Sequence, residues 1–426
     1  MTPKVLFHLN RKSLKRKGVV VMPTAAVELE ALVRKHYPFS FLIFLLRIGA
    51  RDADVRKRFL AFLDVLPSLR SNEEIARYFD MYVGPVFGRL PWVARIAAQK
   101  YIPDNLKGAM LRWFIKTQLA PHFIIESERQ LQRFAHQYKR EGASVVVDLL
   151  GEQVVSLREA EAYFDSYLAL IRHPPISASE EPLHVALKFS SLYPYFSPEN
   201  YDESVRVAGE RFAALLREAQ KNNVFLVVDA EHYQVCRMSE EIFLNTICQP
   251  EFASVENVGI ALQAYRKDAT KSACKFVEAA KTRGSSFLIR LIKGAYWDTE
   301  LIVAQQNGWP FPLLERKQET DYNFNKLCAY LLWHCEEISL ACGTHNPASI
   351  AFAVRQAHAT ALCVQGAVEF QVLYGLGEPV RRALCELGLP VRVYMPYGNI
   401  QKGMAYLARR ILENTTNEGF LLRLLE

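Results

Sequence analysis

The sequence predicts an α/β protein, a (β/α)8 TIM-like barrel preceded by an N-terminal helical region. Three observations carry that reading. After Gly142, eight short apolar runs rich in β-branched residues follow one another. Stretches with apolar residues three and four apart lie between the runs. Polar groups stand at or near the ends of the runs, where a barrel presents its chemistry. Eight strand–helix units fit the roughly 250 residues that such a barrel takes, and a chain of 426 leaves room for an appendage. A doubly wound open sheet is the alternative, weakened because no GxGxxG closes a first strand. Gly375-Leu-Gly377-Glu378-Pro379 offers only a GxG, the pattern of a turn and a helix start.

In order, residues 1–140 are expected to form a helical arm. Its helices are placed at 25–36, 52–66, 72–83, 104–118 and 126–140, with Pro38, Pro67, Pro85, Pro91, Pro103 and Pro121 between or beside them. Asn72 followed by Glu73 and Glu74 marks a helix start. Trp92 and Trp113 read as packing residues, and no catalytic signal stands here. Residues 141–426 are expected to form the barrel, ending in a substrate-binding helix. The strands are placed at 144–150, 184–190, 224–229, 258–264, 287–292, 338–343, 368–373 and 391–395. The helices between them fall at 157–172, 199–221, 239–248, 268–283, 321–336, 347–356 and 377–387. A last helix spans 401–414.

Composition narrows the function classes. Half the residues are hydrophobic, so a large core is available. The net charge of +7 is mild for this length and suits anionic ligands or a membrane surface. No nucleic-acid-binding signature is present. All eight cysteines lie between Cys236 and Cys385 without a CxxC, which reads as reduced thiols rather than disulfides or zinc ligands. Lys4, Arg11, Lys12, Lys15, Arg16 and Lys17 precede the first acidic residue, Glu28. That is a solvated basic tail, a contact for anionic lipid or a targeting segment. Residues 39–46 are apolar but fall far short of the ~20 needed to cross a bilayer.

The strand ends collect a mixed polar set: Asp148, Lys188, Asp229, Glu231, Gln263, Arg290, Lys293, Thr344, His345, Gln371 and Tyr394. Burying each is costly unless it is paired or meets a ligand. Arg290, inside the apolar run of residues 287–292, needs a buried carboxylate or a ligand. Gly294-Ala295 lets the backbone approach something flat or anionic. On the last helix Tyr406, Arg409, Arg410 and Glu413 share one side. Paired guanidinium forks match a carboxylate; the bland alternative is a surface helix with weak ion pairs. No metal is expected, because His345 has no second ligand at suitable spacing. There is no Walker loop and no GxSxG elbow.

Residues 289–298 (Ile-Arg-Leu-Ile-Lys-Gly-Ala-Tyr-Trp-Asp), Gly343-Thr-His-Asn346, Glu369-Phe-Gln-Val-Leu373 with Gly377-Glu-Pro379, and residues 406–414 (Tyr-Leu-Ala-Arg-Arg-Ile-Leu-Glu-Asn) together resemble the proline dehydrogenase family. The likeness is nearest to the proline-oxidising domain of the bifunctional proline utilisation A proteins and covers residues 144–420. It implies noncovalent FAD at the C-terminal face of the barrel. It implies oxidation of L-proline to 1-pyrroline-5-carboxylate, with hydride passing to flavin N5 and electrons to a membrane quinone. Lys188, Arg409 and Arg410 would grip the proline carboxylate, and Tyr296, Tyr394, Tyr406 and Leu373 would wall its ring. Asp229 would anchor an Arg or Tyr of the pocket, and Arg290 would sit near N5. Ala230, Gln263, Lys293, Gly294, Ala295, Trp297, Thr344 and His345 would line the flavin, and Glu413 would brace the arginine pair and the cofactor edge. The resemblance further implies a cytoplasmic protein, peripheral on the inner face of the membrane. No aldehyde dehydrogenase segment follows, so a stand-alone enzyme is expected, its product diffusing or passing to a separate pyrroline-5-carboxylate dehydrogenase. Two competing readings are a Schiff-base aldolase using Lys188 or Lys293 and a non-enzymatic barrel held at a membrane.

Overall fold

The computed structural model describes residues 26–36, 52–89, 102–151, 154–176, 181–359, 368–400, 403 and 406. Eight strands close into one barrel in sequence order. They are β1 (Ala143–Leu149), β2 (Leu183–Leu187), β3 (Val224–Val228), β4 (Val258–Gln263), β5 (Phe287–Ile292), β6 (Ile338–Gly343), β7 (Val368–Leu373) and β8 (Val391–Tyr397). Every pairing is parallel, and β8 returns to β1 from Ala143↔Val391 to Leu149↔Tyr397. A residue period of two splits each strand between two environments. Val145, Val147, Val185, Leu187, Ile289, Leu291, Phe370, Val372 and Val393 join the large core shared with the helices. The alternate positions turn into the barrel, where only Phe225, Val227, Leu288 and Ala341 form a small apolar cluster. Among the other inward positions Val146, Ala186 and Ala261 are small or apolar, and the polar ones hold the candidate site.

The described helices are α1 (Ala26–Lys35), α2 (Ala53–Val65), α3 (Asn72–Tyr82), α4 (Asp104–Phe114), α5 (Glu128–Arg140), α6 (Leu157–Arg172), α7 (Tyr201–Lys221), α8 (Tyr233–Ile247), α9 (Ala269–Arg283), α10 (Trp297–Asn307), α11 (Lys317–Trp333), α12 (Pro347–Ala359) and α13 (Glu378–Glu386). Capping boxes start two of them, Ser71 with Glu74 and Ser127 with Gln130, each satisfying otherwise unpaired first-turn donors. α1 docks on the barrel wall. Leu29 and Val33 are fully buried in the main core, worth about 1.5–3 kcal/mol each, and Lys35 bonds Glu386 at 2.8 Å.

A second core ties α2, α3 and α4 to the C-terminal mouth of the barrel. Phe62, Ile75, Phe79, Leu111 and Ile115 pack with Ile124, Leu150, Leu376, Ile400 and Tyr406, the last four following β1, β7 and β8. Ile125 N donates to Pro396 O at 2.9 Å, and Gly398 N returns a bond to Ile125 O at 2.9 Å. The helical layer is therefore hydrogen-bonded to the rim beside β8.

The structure departs from the sequence reading in several places. α10 has no predicted counterpart. α8 begins at Tyr233 rather than 239, and α11 at Lys317 rather than 321. β2 stops at Leu187, so Lys188 leads into a tight turn. Trp113 is exposed rather than packed. Among the described residues six cysteines are free, but Cys335 is in a disulfide, contrary to the reduced-thiol expectation. Of the predicted last helix, Gly403 and Tyr406 are described; Arg409, Arg410 and Glu413 lie outside the described residues.

Candidate active site

β1, β2, β3, β5 and β8 deliver one connected cluster at the C-terminal half of the barrel. Asp148 on β1 accepts from Lys188 Nζ at 2.7 Å. Lys188, just past β2, also lies 3.4 Å from Asp229 Oδ2, just past β3. Asp229 Oδ1 takes Arg290 Nη1 from β5, and Asp229 Oδ2 takes the Tyr394 hydroxyl from β8 at 2.5 Å. The Arg290 guanidinium lies 5.2 Å from the centre of the Tyr394 ring. Two carboxylates thus face two cations in a largely dry place, each charge offsetting the burial of another.

The protonation states follow. Burial pushes the Asp148 carboxyl up, and neighbouring Asp229 adds to this while Lys188 opposes it. Burial alone would lower Lys188, but Asp148 and Asp229 outweigh it and hold its ammonium well above the ordinary range. Burial, then Asp148 and Asp229, push the Tyr394 phenol well up, so it stays protonated and donates to Asp229.

Arg290 is not fully used by this cluster. Its Nε and Nη2 are buried with no hydrogen-bond partner. A guanidinium carries five donors, and leaving two buried nitrogens unmatched costs about 1–3 kcal/mol apiece. Such a cost, inside a barrel at the end where barrels bind ligands, marks a place for an acceptor-bearing ligand.

Next to this cluster the β5 exit is built for close approach. Gly294 has φ +135°, and a Cβ there would fall 2.4 Å from the Tyr265 ring. The flat group that the Gly294-Ala295 pair admits is thus, on one side, Tyr265 of the protein itself. Lys293 pairs with Asp321 on α11. Trp297 starts α10, donates Nε1–H to Leu314 O at 2.9 Å and meets Phe311 edge-on at 5.4 Å. Tyr296 lies 4.2 Å from the His232 ring. Glu300, one turn into α10, accepts from Tyr233 N at 2.8 Å and sits 3.3 Å from His232 Nδ1. One buried carboxylate therefore joins the loop after β3 to the loop after β5.

A family comparison decides what this arrangement belongs to. The profile described as "Proline dehydrogenase" matches residues 131–423. The chain belongs to the proline dehydrogenase family. The "Proline utilization A N-terminal domain" profile matches residues 41–121, a range that takes in α2, α3 and α4. The Bifunctional protein PutA of Salmonella typhimurium is 30% identical over 301 residues, 68% of this chain and 23% of its own length. Proline dehydrogenase 2 of Bacillus subtilis is 28% identical over 288 residues, 67% of this chain and 83% of its own length. The crystal structure of PutA from Bdellovibrio bacteriovorus inactivated by N-propargylglycine superposes with TM-score 0.82 at 28% identity, over 93% of this chain and 42% of that one. The chain spans under a quarter of the length of the first PutA proteins it matches.

Within this dehydrogenase fold, the structure gathers Lys188, Asp229, Arg290 and Tyr394, and sets Lys293, Gly294, Ala295, Tyr296 and Trp297 on one loop. Ala230, partly exposed, directly follows Asp229. Gln263 is engaged by protein: its amide donates to Glu231 O and Tyr265 Oη at 3.3 Å each, and Cys236 Sγ lies 3.3 Å from its Oε1. Thr344 Oγ1 accepts from Asn346 N at 3.1 Å, and His345 Nε2 accepts from Leu373 N at 3.0 Å, so the β6 end braces the β7 end. Leu373 and Tyr406 share the second core. Gln371, which the sequence places with the strand-end groups, instead donates to Glu369 at 2.8 Å lower in the barrel. Sequence reasoning missed Tyr265, Asp321 and Glu300, whose partners stand 28 to 68 positions away; only Glu300, just past the β5 motif, had any signal in the chain.

Proposed function

We propose that the chain oxidises L-proline to 1-pyrroline-5-carboxylate with noncovalent FAD, its electrons passing to a membrane quinone. The observation that carries this reading is Arg290, anchored by Asp229 on one side and holding two buried, unmatched nitrogens on the other. Those donors, beside a glycine turn and two aromatics, fit the acceptor edge of a flavin ring. When bound, FAD supplies the hydride acceptor.

The protein's share is orientation and exclusion of water. Lys188, with Arg409 and Arg410, holds the proline carboxylate, each charge-assisted bond contributing about 1.5–3 kcal/mol. Tyr296, Tyr394, Tyr406 and Leu373 wall the ring. Asp229 fixes Arg290 and Tyr394 together, so the two cannot drift apart. Lys188 and Arg290 are already balanced by Asp148 and Asp229, so the surplus positive charge comes from the arginine pair. That surplus favours the neutral amine of proline, the form able to release hydride. Ala230, Gln263, Lys293, Gly294, Ala295, Trp297, Thr344 and His345 line the cofactor, with Glu413 bracing Arg409 and Arg410. Residues 1–140 serve as an accessory arm and 141–426 as the catalytic barrel, in a cytoplasmic protein peripheral on the inner face of the membrane. A pyrroline-5-carboxylate dehydrogenase takes the product.

The aldolase alternative meets an objection in the geometry. A Schiff base needs a neutral amine, and Asp148 and Asp229 hold Lys188 as an ammonium. The test is the visible spectrum. Purified protein, reconstituted with FAD where needed, should show flavin absorption that bleaches on adding L-proline, and should reduce a quinone-like dye. A folded protein that takes up no FAD ends the proposal.

A further inference from the structure

Glu231 stands two residues past Asp229 and is 8% exposed, a buried carboxylate beside the active-site cluster. A buried charge is costly unless its lone pairs are met, and one residue meets them. Oε1 accepts from Ser190 N at 3.2 Å, and Oε2 accepts from the Ser190 hydroxyl. The backbone of Glu231 is braced as well. Its carbonyl accepts from Gln263 Nε2 at 3.3 Å, and the Cys236 thiol lies 3.7 Å away. Glu231 therefore reaches from the exit of β3 to the turn after β2 on a fixed base.

That turn begins at Lys188. Phe189–Ser191 form a single 3-10 turn, closed by Ser191, whose N and Oγ donate to Lys188 O at 3.2 and 2.6 Å. Phe189 is fully buried in the main core. Ser190 gives its N–H and hydroxyl to Glu231, and its carbonyl accepts from Val154 N at 3.3 Å. The Lys188 side chain lies between Asp148 and Asp229, 2.7 and 3.4 Å from its ammonium. Asp229 and Glu231, two positions apart on one strand exit, thus hold the two ends of one lysine. Asp229 meets the ammonium; Glu231 ties down the backbone that carries it. A lysine stem is long and flexible, so an ammonium pinned only at its tip would not be fixed against drift of the turn.

We propose that Glu231 is a positioning residue for Lys188, acting through Ser190 by geometry rather than by charge. The proposal deepens the functional reading above and rests on it for what Lys188 grips. Its first test needs no turnover. Full-length protein is treated with an amine-acylating reagent, and labelling is mapped by mass spectrometry. Lys188 should react slowly in wild type, where two carboxylates hold it as an ammonium. Glu231→Ala should speed its labelling at least tenfold and Ser190→Ala severalfold. Glu231→Gln should stay within about twofold of wild type, because its amide oxygen can accept from Ser190 N while its NH2 donates to the Ser190 oxygen. Lys107, buried against Asp80 of α3, serves as control and should keep its wild-type rate. Unchanged labelling of Lys188 in Glu231→Ala overturns the proposal. So does Glu231→Gln behaving like Glu231→Ala, which would assign the effect to charge. If Glu231→Ala loosens the whole chain and exposes Lys107 too, Ser190→Ala decides, and unchanged labelling of Lys188 there overturns the proposal. In turnover, Ser190→Ala should raise the proline KM severalfold with FAD affinity unchanged. Faster labelling of Lys188 without that rise leaves the positioning standing and strikes the role of Lys188 in gripping proline.

Discussion

Two arginines inside the same barrel make an instructive pair. Arg290 on β5 and Arg392 on β8 are 3% and 4% exposed, and both interrupt runs of β-branched residues. Arg392, near the N-terminal end, is closed. Its Nε and Nη2 meet Glu369 at 3.0 and 2.9 Å, and its Nη1 donates to Val145 O at 3.1 Å. Arg290, nearer the C-terminal end, bonds Asp229 through Nη1 and leaves Nε and Nη2 unmatched. Burial and charge are alike; hydrogen-bond completeness differs. A buried cation whose donors are all met is part of the scaffold. One left half-met, at the end where barrels bind ligands, is the position from which the proposed flavin contact is argued.

The sharpest way to break that contrast is to remove each arginine in turn. Arg392→Met strands Glu369 in the interior and should lower stability by about 3–5 kcal/mol, read from denaturant unfolding. Arg290→Met leaves Asp229 with Lys188 and Tyr394, so its stability loss should be clearly smaller. Comparable losses in the two would erase the distinction. The converse appears in turnover. Arg290→Met should cut the proline-dependent rate by about 10²–10³, the range for losing a preorganised donor. Arg290→Lys should not restore it, because a point charge cannot replace a planar fork. A near-normal rate in Arg290→Lys would mean that only charge is needed there.

This contrast was half visible in the sequence. The strands were legible because each is buried on both sides and so reads as an unbroken apolar run; β5, β6 and β7 fall where they were expected. Arg290 drew notice because cation, glycine and aromatics follow it in eight residues. Arg392 drew none, since nothing around it in the chain looks chemical, and its partner Glu369 lies 23 residues away. α10 escaped because only Glu300 and Ala304 of its residues are buried, leaving no apolar period to read. Trp113 was misjudged because a tryptophan in an amphipathic pattern ordinarily packs inward. The apolar side of α4 was legible, but which side faced α3 depended on Lys107 and Gly108.

A smaller effect sharpens what the open side of Arg290 faces. If Arg409 and Lys188 grip the same ligand that Arg290 abuts, Arg409→Met should raise the proline KM by about 10- to 100-fold, the loss of a charge-assisted bond or two. Flavin affinity, measured by fluorescence titration, should change far less. Equal losses of proline and FAD binding would put Arg409 on the cofactor instead and reassign the roles.

The gentlest test concerns the closed end. His184 on β2 stacks on Phe225 at 4.2 Å. Burial, then Arg392 and Arg290, hold its pKa well below the ordinary 6.5. A histidine depressed in the folded state stays neutral there and takes up a proton on unfolding. Its contribution is therefore intact above pH 6.5 and lost as pH falls, by at most about 1.4 kcal/mol per pH unit. His184→Phe keeps the stack and removes the titration. Between pH 7.5 and 5.5 the wild type should lose about 1.4 kcal/mol more unfolding free energy than the variant. Parallel curves would mean that His184 can be protonated in place. Water or an anion would then reach the floor of the barrel, and Arg392 would be no more closed than Arg290.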